Sequence, residues 1–239
     1  MAPHRATRRG IVTIASGLVL AASAFANEPV RHVGIYVTPY YEAAREPGGT
    51  PSISVAKTYD ARLASNRAED LRRVRDDIAA NNAMLTPMTL MVLAIRLYDV
   101  GLRDDSVFWF YAAKNRYATL AEVADVKAPQ LAQVEDAVRN FATLAGPVIN
   151  GYAFCDIAKQ QAAAARALAW AIDNPYQALF LPQVPARPGE RARNLERALG
   201  MLKTAVARER EYLSQPKNVA ELKRQRQENG ADRRYCWSS

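Results

Sequence analysis

Thr86 to Tyr117, TPMTLMVLAIRLYDVGLRDDSVFWFYAAKNRY, decides the fold. Thr86 supplies a helix cap, and Pro87 suits a first turn, where no backbone N–H is required. Met88 to Ile95 contains one polar residue, Thr89, so this helix is apolar nearly all round and must be covered on more than one side. Gly101 permits a tight turn. The second helix carries Phe108, Trp109, Phe110 and Tyr111 in succession, which again exceeds one face. The stretch reads as a helical hairpin at the buried centre, with Leu93, Ala94, Leu97, Phe110 and Ala113 between its helices.

On either side the pattern stays helical. Asp60 to Ser65 reads as a short helix, and Asn66 to Glu69 as a capping box opening a helix to about Ala80. Leu71, Val74 and Ile78 recur at spacings of three and four and form its inward stripe. Gln130 to Ala145 is amphipathic, with Leu131, Val134, Val138, Phe141 and Leu144 inward. Gly146-Pro147 is expected to break or kink it, and helix resumes over Val148 to Ile172. Leu181 to Gly189 is a proline-rich linker. Glu190 to Leu213 is a long helix carrying Leu195, Leu199, Leu202 and Val206. A last polar helix runs from Lys217 to about Glu228, and Gly230 ends it. Upstream, Arg31 to Thr38 and Ser52 to Val55 read as strands around a turn at Glu46 to Gly49. The fold class is therefore all-α: an irregular helical bundle around the central hairpin, with a small N-terminal β element.

The first 26 residues fall outside that fold. Arg5, Arg8 and Arg9 are followed by an apolar run, Ile11 to Phe25, and by Ala24-Phe25-Ala26. This is the order of a secretory signal peptide, with cleavage expected after Ala26 and no membrane span afterwards. N-terminal sequencing of the exported chain should begin at Asn27. Residues 27–58 then form the extended segment, 59–213 the helical domain, and 214–239 a polar helix and tail. Removing three arginines and no acid takes the formal net charge from +8 to +5. Residues 151–239 hold 15 basic and 9 acidic side chains, either a solvated helical face or a surface for an acidic partner. Two cysteines, Cys155 and Cys236, remain in a chain destined for an oxidising compartment, so a disulfide between them is expected.

The central hairpin resembles a single tetratricopeptide or Sel1-type helical repeat unit. Leu93-Ala94, Tyr98, Gly101, Ser106, Phe110 and Ala113 occupy the matching positions in order and spacing. No second copy follows at a period near 34, so a lone unit inside a bundle is expected rather than a solenoid. The resemblance implies a scaffold for proteins or peptides rather than an enzyme.

Chemical motifs are sparse. Only His32 among histidines lies beyond the leader, which excludes histidine-rich zinc sites and H-E-x-x-H chemistry. No phosphate loop or dinucleotide fingerprint is present, so no cofactor is expected, and nucleic acid is disfavoured by export and by the lack of a recognition motif. Ser54-Val55-Ala56-Lys57 matches the S-x-x-K of serine–lysine hydrolases, in which a helix would set both side chains on one face. The acid pairs Asp76-Asp77, Asp104-Asp105 and Glu135-Asp136 are adjacent in sequence. Neighbours on a helix diverge by about 100°, so none is a ready two-carboxylate site. Tyr36, Tyr40, Tyr41 and Tyr59 form either a binding surface or the seal of the helical core. With Arg191, Arg193 and Arg197 they are the candidate partner-binding residues. The leading expectation is an exported, non-enzymatic binding protein for a protein or peptide in the cell envelope, an immunity or inhibitor protein being one version. The alternatives are an envelope hydrolase using Ser54 and Lys57, and an envelope structural factor.

Overall fold

A computed structural model describes residues 29–33, 36–37 (backbone only), 40–46 and 48–237. The leader with its cleavage site, positions 34, 35 and 38 of the expected first strand, Pro39 and Pro47 lie outside the described residues. At the centre, Thr86 Oγ1 accepts a hydrogen bond from the Thr89 N–H at 3.2 Å and opens α3, Pro87–Asp99. Gly101 takes a φ of +84°, a left-handed conformation that costs glycine little, and the chain reverses into α4, Arg103–Val123. Leu93, Ala94, Leu97, Phe110 and Ala113 are all buried, as the pattern required.

Three layers cover this hairpin. Leu71, Val74 and Ile78 seat α2, Ala68–Ala80, against α3. Val138, Phe141, Ala145 and Ile149 seat α5, Ala132–Ala153, across both hairpin helices. Two further helices, α6 (Ile157–Asp173) and α7 (Arg191–Ser214), lie along α4. The short α1, Asp60–Leu63, precedes α2, and α8 (Pro216–Glu228) and α9 (Ala231–Tyr235) complete the chain. Val33, Tyr41 and Tyr59 share one apolar core with the helices.

Several expectations are corrected. The capping box at Asn66 does not form, because tertiary contacts use the side chain. Asn66 Nδ2 donates to the Gly48 and Gly49 carbonyls and its Oδ1 accepts from Arg96, leaving Arg67 as the cap residue. Helix α5 runs unbroken through Pro147. Proline removes one backbone hydrogen bond there, and burial of Ala145 and Ile149 on either side holds the helix against that loss. The inward row passes through Ala145, so Leu144 stays 44% exposed. The interruption falls later, where Asp156 Oδ1 accepts from the Lys159 N–H at 3.1 Å and caps α6. The N-terminal sheet has three antiparallel strands rather than two: β1 (Tyr36–Val37), β2 (Tyr41–Glu42) and β3 (Ser52–Ile53), with Tyr41 opposite Val37 and Ile53.

Residues 181–189 are not a free linker. The Asp125 N–H donates to the Pro185 carbonyl at 2.9 Å and the Arg187 N–H to the Val123 carbonyl at 3.0 Å. Leu120, Val123, Tyr176 and Leu179 form a second small core beneath this strap. Cys155 and Cys236 are joined, with Cα atoms 5.5 Å apart, as expected.

Candidate functional site

Four arrangements of side chains bear on function, and the first two are satisfied internally. The first lies under the N-terminal sheet, in a cavity of about 430 Å³. Asp99 pairs with Arg96 at 2.8 Å and accepts from the Val33 N–H at 2.7 Å. Arg96 also donates to the Leu63 and Ser65 carbonyls. Burial raises the Asp99 pKa, against the lowering effects of the Val33 N–H and the Arg96 guanidinium. Every polar atom named here has a partner, so the cluster anchors Val33 and the Leu63–Asn66 turn to the hairpin.

The second is Arg116, 2% exposed, which donates to the Asn82, Leu85 and Asn174 carbonyls and lies over the Trp170 and Tyr176 rings. Burial lowers its pKa to about 10, so it remains charged at neutral pH while tying two loops together. The third is a cavity of about 310 Å³ where Tyr152 Oη donates to Asp104 at 2.6 Å and Lys159 stands 3.6 Å from the same carboxylate. Asp105 instead pairs with Arg75 at 2.5 Å. Sequence reasoning missed the roles of Arg96 and Arg116; a lone arginine inside an apolar run was the available signal for Arg96, whereas Lys114-Asn115 beside Arg116 read as a solvated stretch.

The expected tyrosine surface is corrected. Tyr41 and Tyr59 are 2% and 7% exposed and belong to the core, Tyr40 is half-buried against it, and the Tyr36 side chain lies outside the described residues. Changing Tyr40 and Tyr41 together would therefore disturb the core, not a binding surface alone. Ser54 and Lys57 are exposed, and no helix spans them. Asp60 Oδ1 accepts from both the Val55 and Ala56 N–H groups at 2.9 Å, which folds the segment into a turn and removes the shared helical face the motif needs. His32 is exposed. Among the described residues no cluster of three His, Cys, Asp or Glu side chains is placed to hold a metal, and no helix is long and apolar enough to cross a membrane.

Burial raises the phenols of Tyr41, Tyr98, Tyr111 and Tyr152 to about 12 from an ordinary value of 10.0. In the unfolded chain they ionise near that ordinary value, whereas the folded protein keeps them neutral. Their contribution is complete below pH 10.0 and is lost as pH rises from 10.0 through about 12. The share of phenolate absorbance due to these four of the eleven tyrosines should therefore appear only with alkaline unfolding; ionisation of all eleven near pH 10 in the intact fold would contradict the burial of these groups.

The fourth arrangement is the arm formed by α7 and α8. Its root is fixed: Arg191 donates to the Leu179 and Val184 carbonyls, Asn194 Nδ2 to the Pro188 carbonyl, and Arg197 pairs with Glu122 at 2.5 Å. Two of the three expected partner-binding arginines thus hold the root of the arm, and Arg193 is exposed to solvent. Further along, Leu195, Leu199, Leu202 and Val206 remain half-exposed, and only Asn194, Ala198 and Leu213 of α7 are buried. Small side chains on both sides, Ala158, Ala162, Ala164 and Ala165 on α6 against Ala205 and Ala207 on α7, leave the interval unfilled. Three clefts of about 510, 530 and 620 Å³ result; the first and second meet at Ala164 and Val206, the first and third at Phe154, and the second and third at Ala158.

A protein of Haemophilus influenzae described as uncharacterized is 35% identical over 219 residues, spanning 92% of this chain and 84% of its own length. The chain belongs to the family of that protein. No family model and no solved structure matches it. The disulfide, its neighbour Arg226 and the third cavity stand together at the far end of the arm. Arg226 Nη2 lies 3.1 Å from Cys236 Sγ and donates to the Gly151 carbonyl at 3.0 Å.

Proposed function

We propose that this protein is an exported, non-enzymatic helical binding protein that holds a protein or peptide partner in the cell envelope, in the groove beneath the α7–α8 arm. The arm carries the reading. It is pinned at its root by Arg191, Asn194 and Arg197 and at its end by the disulfide, yet its apolar stripe is only half covered. The first two clefts expose adjoining alanine, leucine and valine side chains to solvent, and apolar surface of that kind favours a guest. The basic, apolar and small-residue order of positions 1–26 supports export, and the disulfide suits an oxidising compartment. The likeness of residues 86–117 to a repeat unit supports a scaffold role, with the hairpin as framework.

The test is capture from the native envelope by the mature, disulfide-bonded protein, in parallel with Val206→Trp, which fills the groove. A partner retained by the wild type and lost from a folded Val206→Trp variant is expected. Retention of the same partner by both proteins would move the contact off the groove, and capture of nothing after cross-linking would overturn the reading.

A further inference from the structure

The charges around the groove identify the kind of partner. This inference deepens the groove reading and rests on it. Four cations line the three cavities on the solvent side: Lys114, Lys203, Arg210 and Lys223. Among the described residues the ion pairs of the arm are made by Arg197, Arg224 and Arg226, and none by these four. The acids that share the cavities are already engaged. Glu209 accepts from Gln160 Nε2 at 3.2 Å, Asp156 caps α6, and Asp232 pairs with Arg226 at 2.7 Å. Asp232 is offset by Arg226, whereas Glu209 and Asp156 accept from neutral N–H groups and keep their charge, so the rim sets four cations against two acids and stays net positive above an apolar floor, within a C-terminal part that carries 15 basic and 9 acidic residues.

We propose that the groove takes an acidic amphipathic helix of a partner protein, with its apolar face on Leu202, Val206, Ala164 and Phe154 and its carboxylates against Lys203, Arg210, Lys114 and Lys223. Helix-in-groove binding needs apolar anchors at helical spacing for affinity. The rim charges set partner choice and association rate rather than bulk affinity. A neutral helix would leave the net positive charge of the rim unmatched, and a basic one would be repelled.

The experiment uses the mature, oxidised protein and labelled peptides of about 18 residues, roughly five helical turns, with leucine at i, i+3, i+4 and i+7. One peptide carries glutamate at the remaining positions, a second lysine, and a third has serine for each leucine of the first. Fluorescence anisotropy should show saturable binding of the glutamate peptide, weakened at least tenfold by lysine for glutamate and by serine for leucine. The surface change Lys203→Glu with Arg210→Glu should lower affinity for the glutamate peptide by at least tenfold and invert the preference. Rising salt should weaken the wild-type complex. Val206→Trp, or Ala165→Trp at an exposed position should the first variant fold poorly, should block binding.

Equal binding of the glutamate and lysine peptides, still blocked by the tryptophan variants, would overturn the acidic partner and leave the groove intact. Peptide binding indifferent to those variants would overturn both. Self-association of the mature protein that the tryptophan variants abolish would assign the groove to a second copy and overturn the inference. Failure of all three peptides to bind would do the same, with the groove itself then decided by the envelope capture.

Discussion

Replacing Phe110 by alanine should lower the free energy of unfolding by about 3–5 kcal/mol. The ring is 1% exposed, at the place where α4 meets both α3 and α5. Gly146 on α5 lies beside it: a Cβ there would stand 3.6 Å from Phe110 Cζ, an ordinary van der Waals contact, so α5 covers the ring directly. Removing the phenyl group forfeits its transfer free energy and leaves a cavity that rigid helices on three sides cannot close. Domains of this size are stable by roughly 5–15 kcal/mol, so the loss is a large share of the whole. Ala113→Trp should also damage the fold, by overpacking the hairpin interface where Ala113 is fully buried. Denaturant unfolding at unchanged slope is the measurement. A loss below about 1 kcal/mol for Phe110→Ala would mean that the hairpin is not the centre of the fold.

Cys236→Ser should cost roughly 4 kcal/mol by the chain-entropy relation, because the bond closes a loop between residues 81 apart. The folded state loses specific contacts as well. Tyr235 lies against Gly151 so closely that a Cβ at 151 would sit 2.5 Å from the ring. Trp237 stacks on the Arg103 guanidinium at 3.9 Å, and its Nε1 donates to the Val30 carbonyl at 3.2 Å. The Val30 N–H in turn donates to the Arg234 carbonyl at 2.8 Å. The bond therefore secures the tail, the start of the described chain and the end of the arm together. Thermal unfolding with and without a dithiol reductant should show a lower midpoint on reduction, matched by Cys236→Ser in oxidising buffer. Amide exchange should quicken first over residues 226–237 while α3 and α4 stay protected. Identical midpoints in the oxidised and reduced states would remove the stabilising role.

The sequence by itself determined the helical class, the central hairpin and the pairing of the cysteines. Those features rest on local or exhaustive arguments. An apolar run such as Met88 to Ile95 has no exposed face to offer, Thr86-Pro87 and Gly101 act within one turn, and two cysteines permit one intramolecular pair. Only the tertiary structure decided the rest. Asn66 left its capping role because Arg96 and the Gly48–Gly49 carbonyls reach it from distant parts of the chain. Pro147 failed to end α5 because burial on the hairpin outweighed one lost backbone bond. Tyr41 and Tyr59 became core, and Arg191 and Arg197 became anchors, through partners far away in sequence or packed from other elements. The groove is the clearest case. Leucine and valine at helical spacing on α7 predict a buried stripe, but whether that stripe is filled depends on the volume opposite it. There α6 presents alanines, and no local pattern along α7 carries that information.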